Sequence, residues 1–370
     1  MTRFVVKVKP LQIDEFEITI EGTASDYPTA EQMALIAPHL TGIPNIKISD
    51  DISPCRAHHN RIFYRSQYLS GNDGLVVFPH LKSLRIYLCC ASSVYDYADF
   101  TPARFPRVET VNIIMFDCRR RTMYSGRASV HPALSQCWPN ASTVELYGVT
   151  TSSALYALLD HNPQITNLRV ETSSHRTNNA QISRFSLADI LKRLPMLDTL
   201  SIKLSTGERF YGNSENGADS NEDNDLLYIK NSRLKNIHIK HLTMTGECLE
   251  VLYMLPKLKD IAFMYCNLDN PEVALEKVKR IQKLNKTRKR GKYGASIGHI
   301  RFEYIKFKGY GYWPVKLAVA MVAAAPNIKK VTLEGDASEL ISAIRKRFPT
   351  ITLFRLGHIR LMYRPGVLCH

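Results

Sequence analysis

The sequence contains none of the short motifs that mark a common catalytic or cofactor site. Its 370 residues include no GxSxG, HExxH, phosphate-binding loop or dinucleotide-binding fingerprint. The eight cysteines form no CxxC pair, and their spacing fits neither a zinc site nor a disulfide framework. Cys55 lies close to His58 and His59, but ligands so close in sequence do not make a closed metal site. We therefore expect no cofactor, no metal and no enzymatic activity, and mostly buried thiols in a reducing compartment.

Long hydrophobic runs are also missing. The first ten residues, MTRFVVKVKP, mix charged and apolar side chains and contain no apolar run of the signal-peptide type. The most apolar segment, Val315 to Ala325, is eleven residues long, whereas a helix that spans a bilayer needs about 20 residues. The sequence therefore predicts a buried helix at this segment, no membrane partner, and a cytoplasmic or nuclear protein.

Acidic residues are fewer than basic ones. The chain has 34 Asp and Glu against 49 Lys and Arg, which gives a formal net charge of +15. Such an excess permits contact with nucleic acid, an acidic protein surface or an anionic membrane, and it does not select among them. The apolar fraction of 45% is ordinary for a folded protein, so a sizeable core is expected.

The sequence does contain a recurring spacing of apolar residues. Its clearest copy, LPKLKDIAFMYC, places Leu258, Ile261, Phe263 and Cys266 at the positions of the pattern L-x-x-L-x-L-x-x-N/C. Less regular copies, most of them led by a proline, begin at Ile43, Leu81, Val108, Ala141, Ile165, Leu197, Leu234, Ile297, Ile328 and Ile351. Single copies arise easily by chance, whereas about ten in series are a strong signal.

Each copy predicts a short strand followed by a helix. A proline cannot continue a helix and favours extended geometry in the residue before it. The last two apolar positions of each copy are two residues apart, so they lie on one face of a strand. Apolar stripes with helical spacing begin at Leu155, Leu187, Leu249 and Leu340 and end at or before the next proline. The predicted fold class is therefore α/β.

The chain resembles the leucine-rich-repeat family, and among its types the irregular, cysteine-tolerant repeats of fungal F-box proteins. The resemblance covers roughly residues 40–360 and is carried by the copies described above. It implies a solenoid, or horseshoe, with short parallel strands on the concave face and helices or irregular segments on the convex face. Only the copies that begin at Leu81 and Leu258 carry the cysteine, and the asparagine ladder of regular repeats is missing. Strand-like alternation begins at Phe4, so the sequence predicts no F-box.

The irregular repeat lengths predict three parts and two insertions. Residues 1–40 form an N-terminal capping unit, 41–360 the solenoid, and 361–370 a tail or edge strand. The first insertion, near 205–231, is acidic and poor in apolar residues, so we expect disorder there. The second, near 277–295, contains nine positive charges between Lys277 and Lys292 and extends a helix that begins near Pro271.

The outward residues of the strands are the first candidate binding site. A leucine-rich solenoid binds with its concave face. The outward columns are mixed in sign and contain Arg and Tyr, which are enriched at protein hot spots, so we expect a protein ligand. The candidate residues are Arg85, Tyr87, Glu145, Tyr147, Arg169, Glu171, Lys203, His238, Lys240, Arg301, Glu303 and Arg355. The outward residues of the clearest copy, Asp260, Ala262 and Met264, are the least distinctive.

These features predict a non-enzymatic recognition scaffold. The resemblance implies an F-box-like substrate receptor in ubiquitination, with a ubiquitin-ligase adaptor as a further partner. The alternative is nucleic-acid or ribonucleoprotein binding through the second insertion, with Lys286, Arg288, Lys289, Arg290 and Lys292 as candidate residues. A localisation signal, a solvated basic loop, or a loop that pairs with the acidic insertion would each explain the same charges. An enzyme, or a GTPase activator that uses a protruding arginine, is the third hypothesis.

Overall fold

The structure is a computed structural model in which strands and helices alternate. It describes residues 5–12, 15–21, 38, 41–42, 45–49, 77–89, 102–116, 137–149, 152–172, 185–204, 209–212, 222–287, 292–305, 313–335 and 337–356. From residue 143 onward, each strand of the main sheet is followed by one helix before the next strand begins. The α/β class predicted from the sequence is confirmed.

The strands and helices have the following bounds. The strands are β1 (Val5–Gln12), β2 (Glu15–Glu21), β3 (Asn45–Ser49), β4 (Ser83–Cys89), β5 (Thr110–Phe116), β6 (Thr143–Val149), β7 (Asn167–Thr172), β8 (Phe185–Ser186), β9 (Thr199–Lys203), β10 (Arg209–Tyr211), β11 (Asn236–Lys240), β12 (Thr243–Met244), β13 (Asp260–Met264), β14 (Asn267–Leu268), β15 (His299–Glu303), β16 (Lys330–Glu334) and β17 (Thr352–Leu356). The helices are α1 (Ser152–His161), α2 (Leu187–Arg193), α3 (Glu222–Asn231), α4 (Gly246–Met254), α5 (Pro271–Thr287), α6 (Val315–Ala324) and α7 (Ser338–Arg347).

The main sheet is long and almost entirely parallel. It has 13 strands, and their order in space follows their order in the chain. Among the described strands, only β1 and β2 pair antiparallel, as a hairpin at one edge. A second, 4-stranded parallel sheet consists of the short strands β8, β10, β12 and β14. In the sequence, each of them lies between a main strand and the helix that follows it. The helical connections explain the parallel order, because a parallel neighbour requires a long crossover.

A repeated hydrogen-bond pattern fixes where each main strand begins. The carbonyl of Lys259 accepts a hydrogen bond from two successive amides, those of Gly298 and His299, at 3.0 and 3.1 Å. The same shared-carbonyl pattern recurs at every main strand from β5 to β16. Two donors on one acceptor take up one extra residue at the start of the strand, and the strands then pair at equivalent motif positions, as Asp260 does with His299.

The apolar motif positions form one continuous core between the main sheet and the helices. Ile261 and Phe263 are fully buried, like their counterparts in the neighbouring strands. Trp313, just before α6, packs against Phe263 and Phe302 with ring centroids 5.0 and 5.7 Å apart. Its indole N–H donates to the carbonyl of Cys266 at 3.0 Å, so its polar group is satisfied within the core.

Several sequence predictions are decided by these elements. The helical stripes lie in α1, α2, α4 and α7, and the apolar segment forms the buried helix α6. The second insertion does extend a helix, α5, as far as Thr287. The prediction of disorder throughout 205–231 is wrong, since β10 and α3 lie within that range. Low apolar content was a poor guide there, because Phe210 and Ile229 are enough to anchor both elements in the core.

Some predictions concern residues outside the described part. These are the cluster of Cys55, His58 and His59, and the tail 361–370. Among the described cysteines, Cys248 and Cys266 are buried as expected, whereas Cys137 is exposed. Across the described ranges, no helix is both long and apolar enough to cross a membrane.

Candidate recognition face

The strand register brings the predicted outward residues together on one side of the main sheet. We call this side, opposite the helices, the open face. From β4 to β16 the central outward column is continuous, with each residue paired to its counterpart in the next strand. The column consists of Arg85, Asn112, Glu145, Arg169, Ser201, His238, Ala262, Arg301 and Thr332. The side chain of Tyr87, in the neighbouring column, lies outside the described residues.

The predicted placement of Arg355 in this column is wrong. Phe354, not Arg355, pairs with Thr332, and its side chain is 47% exposed. Arg355 pairs with Leu333, a core position. The cause is the start of β17, where the carbonyl of Lys329 accepts only the amide of Thr352. Without the second donor, β17 is displaced by one residue, and alternate side chains change faces.

A polar network joins four strands at the C-terminal half of the open face. Arg301 donates from Nε and Nη2 to Oδ1 of Asp260, at 3.1 and 3.0 Å, and its Nη2 lies 2.7 Å from Nε2 of His238. Asp260 Oδ2 lies 2.9 Å from Nδ1 of His299, whose Nε2 lies 2.9 Å from the Thr332 hydroxyl. We call these five residues the Asp260 network. Glu303 adds an ion pair to Arg301 at 3.6 Å.

A small residue makes this network possible. Ala262 pairs with His238 on one side and with Arg301 on the other. Its methyl group leaves room for the Arg301 side chain to lie across β13 and reach a histidine two strands away. Two of the three residues that looked least distinctive in the sequence, Asp260 and Ala262, therefore lie at the centre of the network, with Asp260 as its hub.

The electrostatics of the network follow from its burial and its charges. Burial alone would raise the pKa of Asp260, but the hydrogen bond from His299 and the charge of Arg301 outweigh it, so this pKa lies below its usual value. Burial and the nearby Arg301 lower the pKa of His238, which favours the neutral ring that accepts from the guanidinium. Burial raises the pKa of Glu303. The network thus holds its charges in fixed, partly desolvated positions.

The order carboxylate, imidazole, hydroxyl in Asp260, His299 and Thr332 resembles a hydrolytic triad, but its surroundings differ. Thr332 is only 4% exposed. Its strand pairs on both sides, with β15 and β17, so its backbone amides are engaged in the sheet and do not form an oxyanion hole. Within the described ranges, no group of three His, Cys, Asp or Glu could hold a metal ion. The arrangement can orient a bound surface.

A second polar cluster lies on the N-terminal half of the open face. Glu145 Oε2 accepts from Nδ2 of Asn112 and from the Tyr147 hydroxyl, both at 3.0 Å. The guanidinium of Arg169 lies 5.1 Å from the centre of the Tyr147 ring. Burial and the hydrogen bond to Glu145 raise the pKa of Tyr147. The structure therefore joins three of the predicted site residues in one cluster.

Two further predicted residues pair beside this cluster, and one does not. Lys203 Nζ donates to Oε1 of Glu171 at 2.5 Å, in the column next to the central one. Arg85 is exposed, two strands away from Glu145. The structure thus places six of the twelve predicted residues in the two networks and two in a separate ion pair, and it leaves Arg85 apart.

An aromatic ladder lies along the end of the open face. His241, Tyr265 and Tyr304 each follow directly after a main strand, and their rings stack with centroids 4.7 and 4.6 Å apart. All three have left-handed backbones, with φ of 53, 51 and 53°. Such φ values are uncommon for bulky residues and are often found at functional sites. Tyr265 is 45% exposed, so the ladder presents ring edges to solvent.

The backbone hydrogen bonds explain why the ladder keeps this conformation. The amides of His241, Tyr265 and Tyr304 each donate to the last carbonyl of the next main strand, at 2.9, 3.1 and 3.0 Å. The next unit has Gly335 at the same position, with φ of 99°. A hydrogen bond to Glu334 is the main cause that raises the pKa of the Tyr304 phenol, to about 12. The phenol therefore stays protonated and keeps its orientation.

Sequence reasoning missed both the ladder and the hub of the network. The ladder residues occupy the position two after the last core residue of three consecutive copies, so an aromatic residue recurring there was the available signal. The role of Asp260 had no local signal, because its partners lie on the next strand, 39 and 41 residues later in the chain.

The described part of the basic insertion, 277–287 and 292, lies on the helix side of the molecule. Lys286, at the end of α5, and Lys292 are exposed, whereas 288–291 lie outside the described residues. Lys277 and Arg280 form ion pairs with Glu250 of α4, at 3.2 and 3.5 Å. The insertion is therefore separated from the open face by the body of the sheet.

No protein-family model matches the sequence, and no curated protein matches it either.

Proposed function

We propose that the chain is a leucine-rich-repeat scaffold that binds a protein partner on the concave face of a horseshoe. Three features support this: the L-x-x-L-x-L spacing, the parallel strands in chain order, and the helices on the opposite side. The open face is then the concave face. Its role is recognition without catalysis.

The observation that carries the proposal is the position of the aromatic ladder beside the Asp260 network. Both lie on the strands from β11 to β16 and the residues just after them. Tyrosine, arginine and histidine side chains held by hydrogen bonds between strands are oriented before any partner arrives, which lowers the entropic cost of binding. Tyr and Arg are also the residue types most often found at hot spots.

The proposal is tested by affinity purification from native cells with matched variants. Tyr265→Asn removes a central ring and introduces a residue that tolerates a left-handed backbone. We expect the partner recovered with the wild-type chain to be lost with Tyr265→Asn and with Lys240→Glu, as measured by quantitative mass spectrometry. Arg233→Glu, in the turn before β11, is the control and should recover the partner fully. Equal recovery with all variants would reject the open face as the binding surface.

For the class of partner, we propose an F-box-like receptor role in ubiquitination. This follows from the resemblance to the irregular repeats of F-box proteins. In such a role, the repeats would capture the substrate. The same purification tests it, because a ligase adaptor should then copurify in stoichiometric amount. Recovery of a partner without any adaptor or ligase subunit would exclude this role and leave the scaffold proposal intact.

Nucleic-acid binding is the second candidate function. It is favoured by the exposed cations Lys279, Lys283 and Lys286, which follow α5 toward the rest of the basic insertion. Binding to phosphates releases counterions, so the affinity for a single-stranded RNA oligonucleotide should fall steeply with salt. Deleting residues 286–292 should abolish it. An affinity that is insensitive to salt and to the deletion would reject this function.

A further inference from the structure

The outer surface of α6 forms the floor of a groove on the helix side. In its sequence, VKLAVAMVAA, the only charged residue is Lys316. Val319 and Ala320 face outward but are small, and α6 packs between α5 and α7, which carry longer side chains. The result is a groove of about 710 Å³ with an apolar floor.

The walls of the groove are basic. Lys279 of α5 lies on one side, Lys346 and Arg347 of α7 on the other, and Lys316 on the floor helix. Among the described residues that line the groove there is no acidic side chain. The Gln282 amide donates to the carbonyl of Ala320 at 2.6 Å, which fixes α5 against the floor. The groove therefore combines a rigid apolar surface with four cations.

This combination discriminates between classes of ligand. A membrane-binding surface places its apolar residues at the most protruding positions, whereas Val319 and Ala320 lie below the lysines that surround them. A single-stranded nucleic acid is bound by aromatic side chains that stack on bases, and no aromatic residue lines the groove in the part of the chain that the structure describes. An amphipathic helix matches both features of the groove, because it has an apolar stripe with charged residues on either side.

We propose that the groove binds an acidic amphipathic helix of a partner protein. The floor helix has ten residues, about 15 Å at the usual rise, so a partner helix of about three turns would cover it. Its apolar stripe packs on Val315, Val319 and Ala343, and Asp or Glu residues on either side pair with the basic walls. This binding is independent of the open face, and both surfaces can be occupied together.

The test uses a fluorescently labelled helical peptide of about 18 residues, with leucines at i, i+3, i+4 and i+7 flanked by glutamates. Its affinity for the full chain is measured by fluorescence anisotropy. We expect saturable binding that weakens at high salt. The double variant Lys346→Glu/Arg347→Glu should weaken binding by at least about tenfold, and Lys346→Gln/Arg347→Gln by less. Ala343→Trp, which fills the groove, should also abolish binding, and circular dichroism verifies that each variant is folded.

Matched controls separate the groove from general electrostatic attraction. Lys283→Glu/Lys286→Glu changes the charge by the same amount outside the groove and should leave the affinity within about twofold. A peptide of identical composition with scrambled spacing should not bind. Equal binding of the scrambled peptide would overturn the proposal. Tighter binding of a single-stranded RNA oligonucleotide or of anionic phospholipid vesicles, lost in Lys346→Glu/Arg347→Glu, would also overturn it.

Discussion

The open face and the helix-side groove contain the same kinds of charged residue in opposite arrangements. On the open face, Arg301 lies against Asp260, and Lys203 lies against Glu171. In the groove, Lys316 and Lys346 have no acidic partner among the described residues. The same types of basic residue thus belong to one surface with compensated charge and to one with an excess of positive charge.

The difference separates two uses of charge. Paired charges contribute little to long-range attraction, but they hold side chains in one geometry and so favour specificity. Unpaired lysines attract an acidic partner over a Debye length and lose that attraction in salt. We therefore expect the open face to discriminate between partners by shape and hydrogen bonding, and the groove to respond to their net charge.

The largest expected effect comes from truncating Trp313, a core residue that supports both surfaces. Trp313 packs beneath β13 and β15 and immediately precedes the floor helix. Trp313→Ala should lower the free energy of unfolding by about 3–5 kcal/mol, because it creates a large cavity. Urea denaturation followed by circular dichroism measures this, with the exposed Met196→Ala as control. A loss below about 1 kcal/mol would show that the surfaces do not depend on one core.

The next largest effect should be confined to the open face. Asp260→Ala removes the hub of the network and leaves Arg301 beside two histidines, so we expect a loss of about 1–3 kcal/mol in urea denaturation. Asp198→Ala breaks a more exposed pair, with Lys235, and should cost less than about 1 kcal/mol. Equal losses would mean that the network is no more than a set of surface ion pairs. Peptide binding in the groove should not change in either variant.

A smaller effect tests the strain in the aromatic ladder. Tyr265→Ala removes two ring contacts and keeps a Cβ at a left-handed backbone, so we expect a loss of about 1–2 kcal/mol. Tyr265→Gly loses the same contacts but tolerates the backbone, and it should be more stable than the alanine variant by about 1 kcal/mol. The comparison is made by chemical denaturation. A glycine variant less stable than the alanine variant would show that the ladder is unstrained.

The smallest expected effect is a pH dependence of the free energy of unfolding that arises from the open face. His238 has a pKa below its ordinary value of 6.5, so below that pH the unfolded chain binds a proton that the folded chain does not. The free energy of unfolding should therefore fall as the pH falls from 6.5 toward the folded pKa of His238. His238→Gln should reduce this dependence in urea titrations. The pKa of Glu303 is raised, so this residue makes the free energy of unfolding rise as the pH falls toward its ordinary value of 4.5. The wild type and His238→Gln are therefore compared at each pH.

The affinity of the groove for the peptide is the quantity to compare with this pH dependence of stability. Among the described residues that line the groove there is no histidine and no carboxylate. Peptide affinity should therefore stay constant where stability changes. A parallel change in affinity would indicate that the two surfaces are coupled.

The repeating fold could be predicted because its information is local. Proline and three apolar positions define each strand, and residues such as Leu258, Ile261 and Phe263 are buried as their spacing requires. The last copy shows the limit of this reasoning. Ile351, Leu353, Phe354 and Leu356 are all apolar, so two registers satisfy the pattern, and only the hydrogen bonds at the start of β17 select the observed one.

The candidate site could be predicted only in part, because its contacts are distant in sequence. The spacing correctly places Arg301 and His238 in one column. It does not indicate that they touch across Ala262, or that Asp260 joins them. These contacts depend on side-chain lengths in three adjacent strands taken together. The ladder required a comparison of equivalent positions outside the apolar pattern.

The shared carbonyls at the start of the strands from β5 to β16 affect how such a chain can change over generations. A slip of one residue in a parallel sheet exchanges the core and surface side chains of a strand, as β17 illustrates. Because the shared carbonyl sets the register anew at every strand from β5 to β16, a crossover can gain or lose residues without disturbing the strands that follow. Duplication or deletion of a whole strand–helix unit would likewise preserve the remaining columns, so the length of the open face can evolve separately from its chemistry.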